Sequence, residues 1–143
     1  MKTKQLISLL STQIQDDEKT ESELFTNAEI TLNRNGSTIS YEDTEATGFE
    51  GSVTTVKVNG NKEASVIRTG TSNSLLLLEN GKRSYCQYGT PFGIFQIGVY
   101  THTIENTLNE NGRLYMKYTL DLNASKLSDN EITITIHNNN QKG

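Results

Sequence analysis

Four Asn-Gly pairs, at Asn35-Gly36, Asn59-Gly60, Asn80-Gly81 and Asn111-Gly112, constrain this chain more than any other feature. Both residue types tolerate the positive φ that tight primed turns demand, and each pair stands between two strand-like runs. The pattern predicts four hairpins. Around them apolar residues alternate: Leu24, Thr26, Ala28, Ile30 and Leu32 share one parity, as do Ile39 and Tyr41, Val56 and Val58, and Ala64 and Val66. Leu114, Met116, Tyr118 and Leu120 repeat the pattern, and Ile132, Ile134 and Ile136 close it. A period of two places each set on one face of a strand. No segment carries a capped 3.6-residue apolar period, although Leu122 to Asp129 has room for one helical turn.

These observations predict an all-β fold. A long run of strands joined by tight turns forms an antiparallel meander, which closes on itself to remove exposed edges, here as a β-barrel of about eight to ten strands. A two-sheet sandwich needs longer crossovers. Asp16 to Glu23, Asp43 to Gly51 and Asn123 to Asn130 read as the roomy loops. With 143 residues the chain closes one core, so residues 1–137 are expected as a single domain and 138–143 as a polar tail.

A net charge of -4 gives no footprint for a phosphate backbone or an anionic membrane, so neither nucleic acid nor membrane is expected as a partner. Cys86 is the only cysteine, which excludes an intramolecular disulfide and suits a reducing compartment. The apolar stretch Leu6 to Leu10 is broken by Ser8 and falls short of a signal h-region, and no run approaches the about 20 residues of a membrane-spanning helix. A cytoplasmic location is the expectation.

At Arg68-Thr69-Gly70 and Tyr88-Gly89-Thr90-Pro91-Phe92-Gly93 the sequence resembles the YwiB-like family of uncharacterised bacterial proteins. Ser40-Tyr41-Glu42-Asp43, Thr47-Gly48, the Thr-x-x-Val at Thr55 and the Gly-x-Leu-Tyr-x-x-Tyr from Gly112 to Tyr118 follow in that family's order. The likeness covers residues 4 to 137. It implies a calycin, or lipocalin-like, barrel and a bacterial cytoplasmic source, and it brings no established activity.

Chemistry-bearing residues are few. His102 and His137 are the only histidines and neither neighbours another metal ligand, so no metal site is expected, and both read as strand-end polar groups. The chain lacks a nucleophile elbow, a phosphate-binding glycine loop and a dinucleotide fingerprint, and no cofactor is expected. Asp16-Asp17-Glu18 and Glu42-Asp43 with Glu45 read as solvated loop charge. Cys86 reads as a small strand hydrophobe. Thr90, Pro91, Phe92 and Gly93 hold the only proline with a permissive glycine two positions on, and read as a rigid strand-to-strand corner.

Polar residues on the apolar parity are the more informative set. Tyr41 follows Ile39, Arg68 follows Ala64 and Val66, and Tyr118 lies between Met116 and Leu120, so all three are lumen candidates; Tyr88 joins them on a strand of ambiguous parity. A buried guanidinium cannot discharge and must find an anion. For Arg68 the choices are a carboxylate such as Glu42 or Asp43, or a ligand.

The first expectation for function is a non-catalytic binding module, its lumen accepting a small hydrophobic or amphipathic ligand beside Tyr41, Arg68, Tyr88 and Tyr118. The alternative is an assembly module, a homodimer formed through the outer face and the stretch Ile94 to Tyr100. An enzyme with a lumen acid and base pair ranks third, because no catalytic constellation can be named.

Overall fold

The computed structural model describes residues 2–34, 36–71, 73–90 and 93–137, the last three residues of the third span as backbone only. Ten strands follow in chain order: β1 (Lys2–Gln15), β2 (Glu18–Thr31), β3 (Ser37–Glu42), β4 (Ser52–Asn59), β5 (Glu63–Gly70), β6 (Ser74–Glu79), β7 (Arg83–Thr90), β8 (Gly93–Thr107), β9 (Arg113–Leu122) and β10 (Ser125–His137). A single helical turn, α1 (Leu108–Asn111), joins β8 to β9. The strands form one antiparallel sheet in the order β6-β5-β4-β3-β2-β1-β10-β9-β8-β7. The sheet curls until its two end strands stand side by side, giving a nearly closed barrel. No helix among the described residues is long and apolar enough to cross a membrane.

The seam of this barrel lies between β6 and β7 in mid-chain, while the first and last strands are zipped together inside the sheet. Asn80-Gly81 sits at the foot of the seam and is a turn between strands that do not pair, so it corrects the third of the four expected hairpins. There the chain crosses to the next wall: Gly81 N–H donates to Thr101 O (2.8 Å) and Thr101 N–H to Lys82 O (3.1 Å). Higher up, a side chain does the work of a ladder, with Ser84 Oγ donating to Leu77 O at 2.8 Å.

Asn59-Gly60 turns between paired β4 and β5 as expected. Asn111-Gly112 also turns between paired β8 and β9 as expected, ending α1, with Gly112 in the left-handed region (φ 72) and its N–H bonded back to Leu108 O. Asn35 lies outside the described residues, between paired β2 and β3. Two expected loops are strand. Asp16-Asp17 (φ 52 and 68) and Asn123-Ala124 (φ 53 and 68) make two-residue turns with positive φ at both positions, although none of the four is glycine. Leu122 to Asp129, which has room for a helical turn, forms a hairpin turn and strand instead. Among the three expected loops, Asp43 to Gly51 is the one that remains.

Inward residues fall into two zones. The lower lumen is filled by Ile7, Ile30, Ile39, Val58, Leu78, Val99, Ile104 and Leu114, and Leu108 of α1 plugs the end. Burying such side chains contributes about 1.5–3 kcal/mol each, so this plug dominates stability. Toward the opposite end the inward positions turn polar: Tyr41 and Asp43 after Ile39, Thr54 before Val56, Arg68 after Val66, and Tyr118 after Met116.

Candidate functional site

Above the plug lies a cavity of about 380 Å³. Leu9, Leu24, Val56, Val66, Leu76, Met116, Ile132 and Ile134 form its apolar wall, and Tyr41, Arg68 and Tyr118 enter it from β3, β5 and β9. The structure thus brings three of the four sequence candidates to one space; the side chain of Tyr88, the fourth, lies outside the described residues. Ser11, Ser22, Glu23 and Ser74 edge the mouth, and the loop after β3 folds back to add Ala46, Thr47 and Phe49.

Arg68 pairs with Asp43, which settles the two carboxylates offered by the sequence. Its Nε donates to Asp43 Oδ2 at 3.3 Å and to Thr54 Oγ1 at 3.0 Å. Thr54 Oγ1 donates in turn to Asp43 Oδ2 at 2.7 Å, and Thr47 Oγ1 donates to Asp43 Oδ1 at 3.0 Å. The Asp43 side chain is 0% exposed and that of Arg68 19%. Solvated loop charge was the expectation for Asp43. Burial corrects it, because Asp43 N–H bonds to Ser52 O (2.8 Å) and extends the β3–β4 hairpin inward by one residue. The guanidinium carbon also sits 3.7 Å over the Phe49 ring.

Close backbone approach makes this corner. Gly70 (φ +124) ends β5, and a Cβ there would lie 2.5 Å from Gly51 O. Only glycine lets the loop after β3 settle so near the end of β5.

The two phenols differ in surroundings. Burial pushes the Tyr41 phenol up and Asp43 adds to this, while Arg68 and the Thr54 hydroxyl pull against them. Tyr118 is pushed up to about 12, mainly by burial, with Arg68 opposing. Both phenols keep their protons at ordinary pH and present O–H donors.

The expected corner at Thr90 to Gly93 falls where β7 ends at Thr90 and β8 begins at Gly93 (φ +127); Pro91 and Phe92 lie outside the described residues. Cys86 is half-buried against the core, and burial raises its thiol. His137 ends β10 as expected, but His102 lies mid-strand at a bulge of β8. Its Nε2 is 2.7 Å from Thr119 Oγ1, whose proton goes to Asp129 Oδ1 at 2.6 Å. Lys126 donates to the other Asp129 oxygen (2.8 Å) and, with Thr119, holds that carboxyl below its ordinary range. A hydroxyl that donates to a carboxylate already neutralised by lysine is not an activated nucleophile. Among the described residues no group of three or more His, Cys, Asp or Glu side chains is placed to hold a metal.

Sequence reasoning offered Asp43 as a partner for Arg68 but missed Thr47, Thr54 and Phe49 as parts of the site. Thr54 alone carried a signal, sharing parity with Val56 and Val58.

Residues 7–134 match the model of a family described as Domain of unknown function (DUF1934). No curated protein matches the sequence. Among solved structures the chain is similar to the crystal structure of the ywiB protein from Bacillus subtilis, with a TM-score of 0.70 and 21% identity over 96% of this chain and 94% of that one. That likeness shows the fold.

Proposed function

The chain belongs to the DUF1934 family, whose name carries no activity, and from the geometry of the lumen we propose that it is a non-catalytic binding barrel for one small, partly apolar ligand. The supporting observation is the division of the lumen. One half is filled by buried apolar side chains, while the other keeps about 380 Å³ with an apolar wall and three polar side chains at one pole. Small-molecule sites have this construction: concave, mostly apolar, with a few placed polar groups that fix orientation. An eight-strand barrel has an interior that its own side chains nearly fill, so a ten-strand barrel has room to spare.

Native mass spectrometry of protein purified from its own host tests this reading, the expected result being a bound small molecule. Val66→Trp, which fills the cavity from its apolar wall, should release that molecule while the protein stays folded. Protein that emerges unliganded and takes up no amphiphile would sink the proposal.

A second reading, a homodimer through the outer wall, rests on Ile94 (72% exposed) and Tyr100 of β8 and Tyr85 of β7, exposed residues that share the outward face. Isolated exposed apolar residues are common, but a contiguous set marks an interface. Sedimentation velocity separates the two: a monomer at micromolar concentration removes this reading.

A further inference from the structure

Building on the binding reading, we infer that the ligand's polar end is an uncharged hydrogen-bond acceptor, an amide, ester or ketone carbonyl or a hydroxyl, rather than an anion.

A guanidinium in an apolar cavity suggests a carboxylate at first sight. The charge balance here says otherwise. Arg68 already has its counter-ion in Asp43, a carboxylate with no exposed side-chain surface and with Thr47 and Thr54 donating to its two oxygens. The pair is neutral as a unit. A ligand carboxylate entering beside Arg68 would meet one cation shared between two anions and leave one negative charge uncompensated in a water-poor space, the arrangement that buried ion pairs tolerate least.

What the pole offers is hydrogen-bond donors. Arg68 commits Nε to Asp43 and Thr54, so its ion pair runs through the side of the guanidinium instead of the two-pronged end that grips carboxylates bidentately. Tyr41 stands beside it, and the Tyr118 phenol also lines the cavity. Both phenols resist ionisation through burial, so neither brings charge. Guanidinium N–H and phenol O–H groups converging without net charge fit a neutral acceptor oxygen, and the apolar wall fits an aliphatic or aromatic remainder. Asp43 thus converts an apparent anion site into a carbonyl or alcohol site.

The test compares three probes of equal chain length, decanamide, 1-decanol and decanoate, by isothermal titration at pH 8, where the acid is ionised. On the wild-type protein the amide or the alcohol should bind at least about tenfold tighter than decanoate, a discrimination typical of an uncompensated charge in a partly buried site. Decanoate binding as tightly as the amide would overturn the inference and leave the binding reading standing. If none of the three binds, the binding reading falls and the inference with it. Asp43→Asn supplies the converse. It keeps the size of the side chain and an oxygen acceptor but frees the charge of Arg68, so decanoate should gain about tenfold or more and overtake the amide. Unchanged selectivity in a folded Asp43→Asn protein would also overturn the inference, and the wild-type comparison decides it if that variant fails to fold.

Discussion

Asp43 and Arg68 depend on each other unequally. Asp43 is wholly out of water with Arg68 and two threonine hydroxyls as its partners, whereas the guanidinium keeps some solvent and the Phe49 face. Removing the cation therefore strands the carboxylate. Arg68→Met should lower stability by roughly 3–5 kcal/mol in urea denaturation of the ligand-free protein, the usual result of breaking a buried pair. A near-zero change would show that solvent and the threonines suffice for Asp43. Tyr118 gives a second prediction through its raised phenol. The folded value of about 12 exceeds the ordinary 10.0, so between these pH values the unfolded chain loses a proton that the folded chain keeps. Stability is then fully present below pH 10 and falls as pH rises toward 12, by about 2–3 kcal/mol for this group. Tyr118→Phe should remove that part of the alkaline slope; identical slopes for the two proteins between pH 9 and 12 would refute it.

At the scale of elements, the glycine between the cavity loop and β5 carries the sharpest prediction. Gly70→Ala forces a Cβ against the Gly51 carbonyl oxygen at positive φ, whereas Gly60→Ala, at φ +55 with nothing within 4 Å, meets open space. The first should cost about 1–3 kcal/mol and loosen the loop that holds Asp43 and Phe49; the second should cost less. Equal melting temperatures for the two variants would contradict the close approach. The same comparison shows what the sequence reveals. Period-two runs such as Val56-x-Val58 and Leu114 to Leu120 disclose strands and their inward faces, because burial on one face forces that alternation. Parity likewise puts Tyr41, Arg68 and Tyr118 on inward faces. Turns at Asp16-Asp17 and Asn123-Ala124 stay hidden, because Asp and Asn adopt positive φ without glycine's plain signal and Ala124 gives none. Phe49 and Thr47 stay hidden as well, since a loop has no period and its contacts depend on the fold around it. Asn80-Gly81 misleads for a related reason: a turn dipeptide specifies a reversal, and which strands pair across it is decided by the whole sheet.

At the scale of the molecule, the barrel is two unequal arcs joined through its terminal strands. β1 pairs with β10 from Leu6↔His137 to Ile14↔Asp129, so the most distant segments of the sequence form an interior ladder. The mid-chain seam is held instead by Ser84 to Leu77 and by asparagines at its foot, where Asn106 N–H donates to Asn61 Oδ1 (2.7 Å) and Asn106 Nδ2 to Gly60 O (3.1 Å). A chain truncated after Ala124 lacks β10 and leaves the edge of β1 unpaired beside an opened core. Such an edge pairs with whatever strand is offered, so the truncated chain should self-associate in light scattering while the full chain does not show the same species. A soluble, folded monomer from the truncation would contradict the account.

The same ladder orders events on the ribosome. Six strands of one arc can pair with their neighbours as they emerge, but β1, the first of the six, waits for β10 before its second edge is satisfied. From β1 until β10 the nascent chain carries an open template strand. That places its greatest vulnerability to misassembly before β10 emerges, and makes the arrival of β10, rather than any turn along the way, the step that seals the barrel.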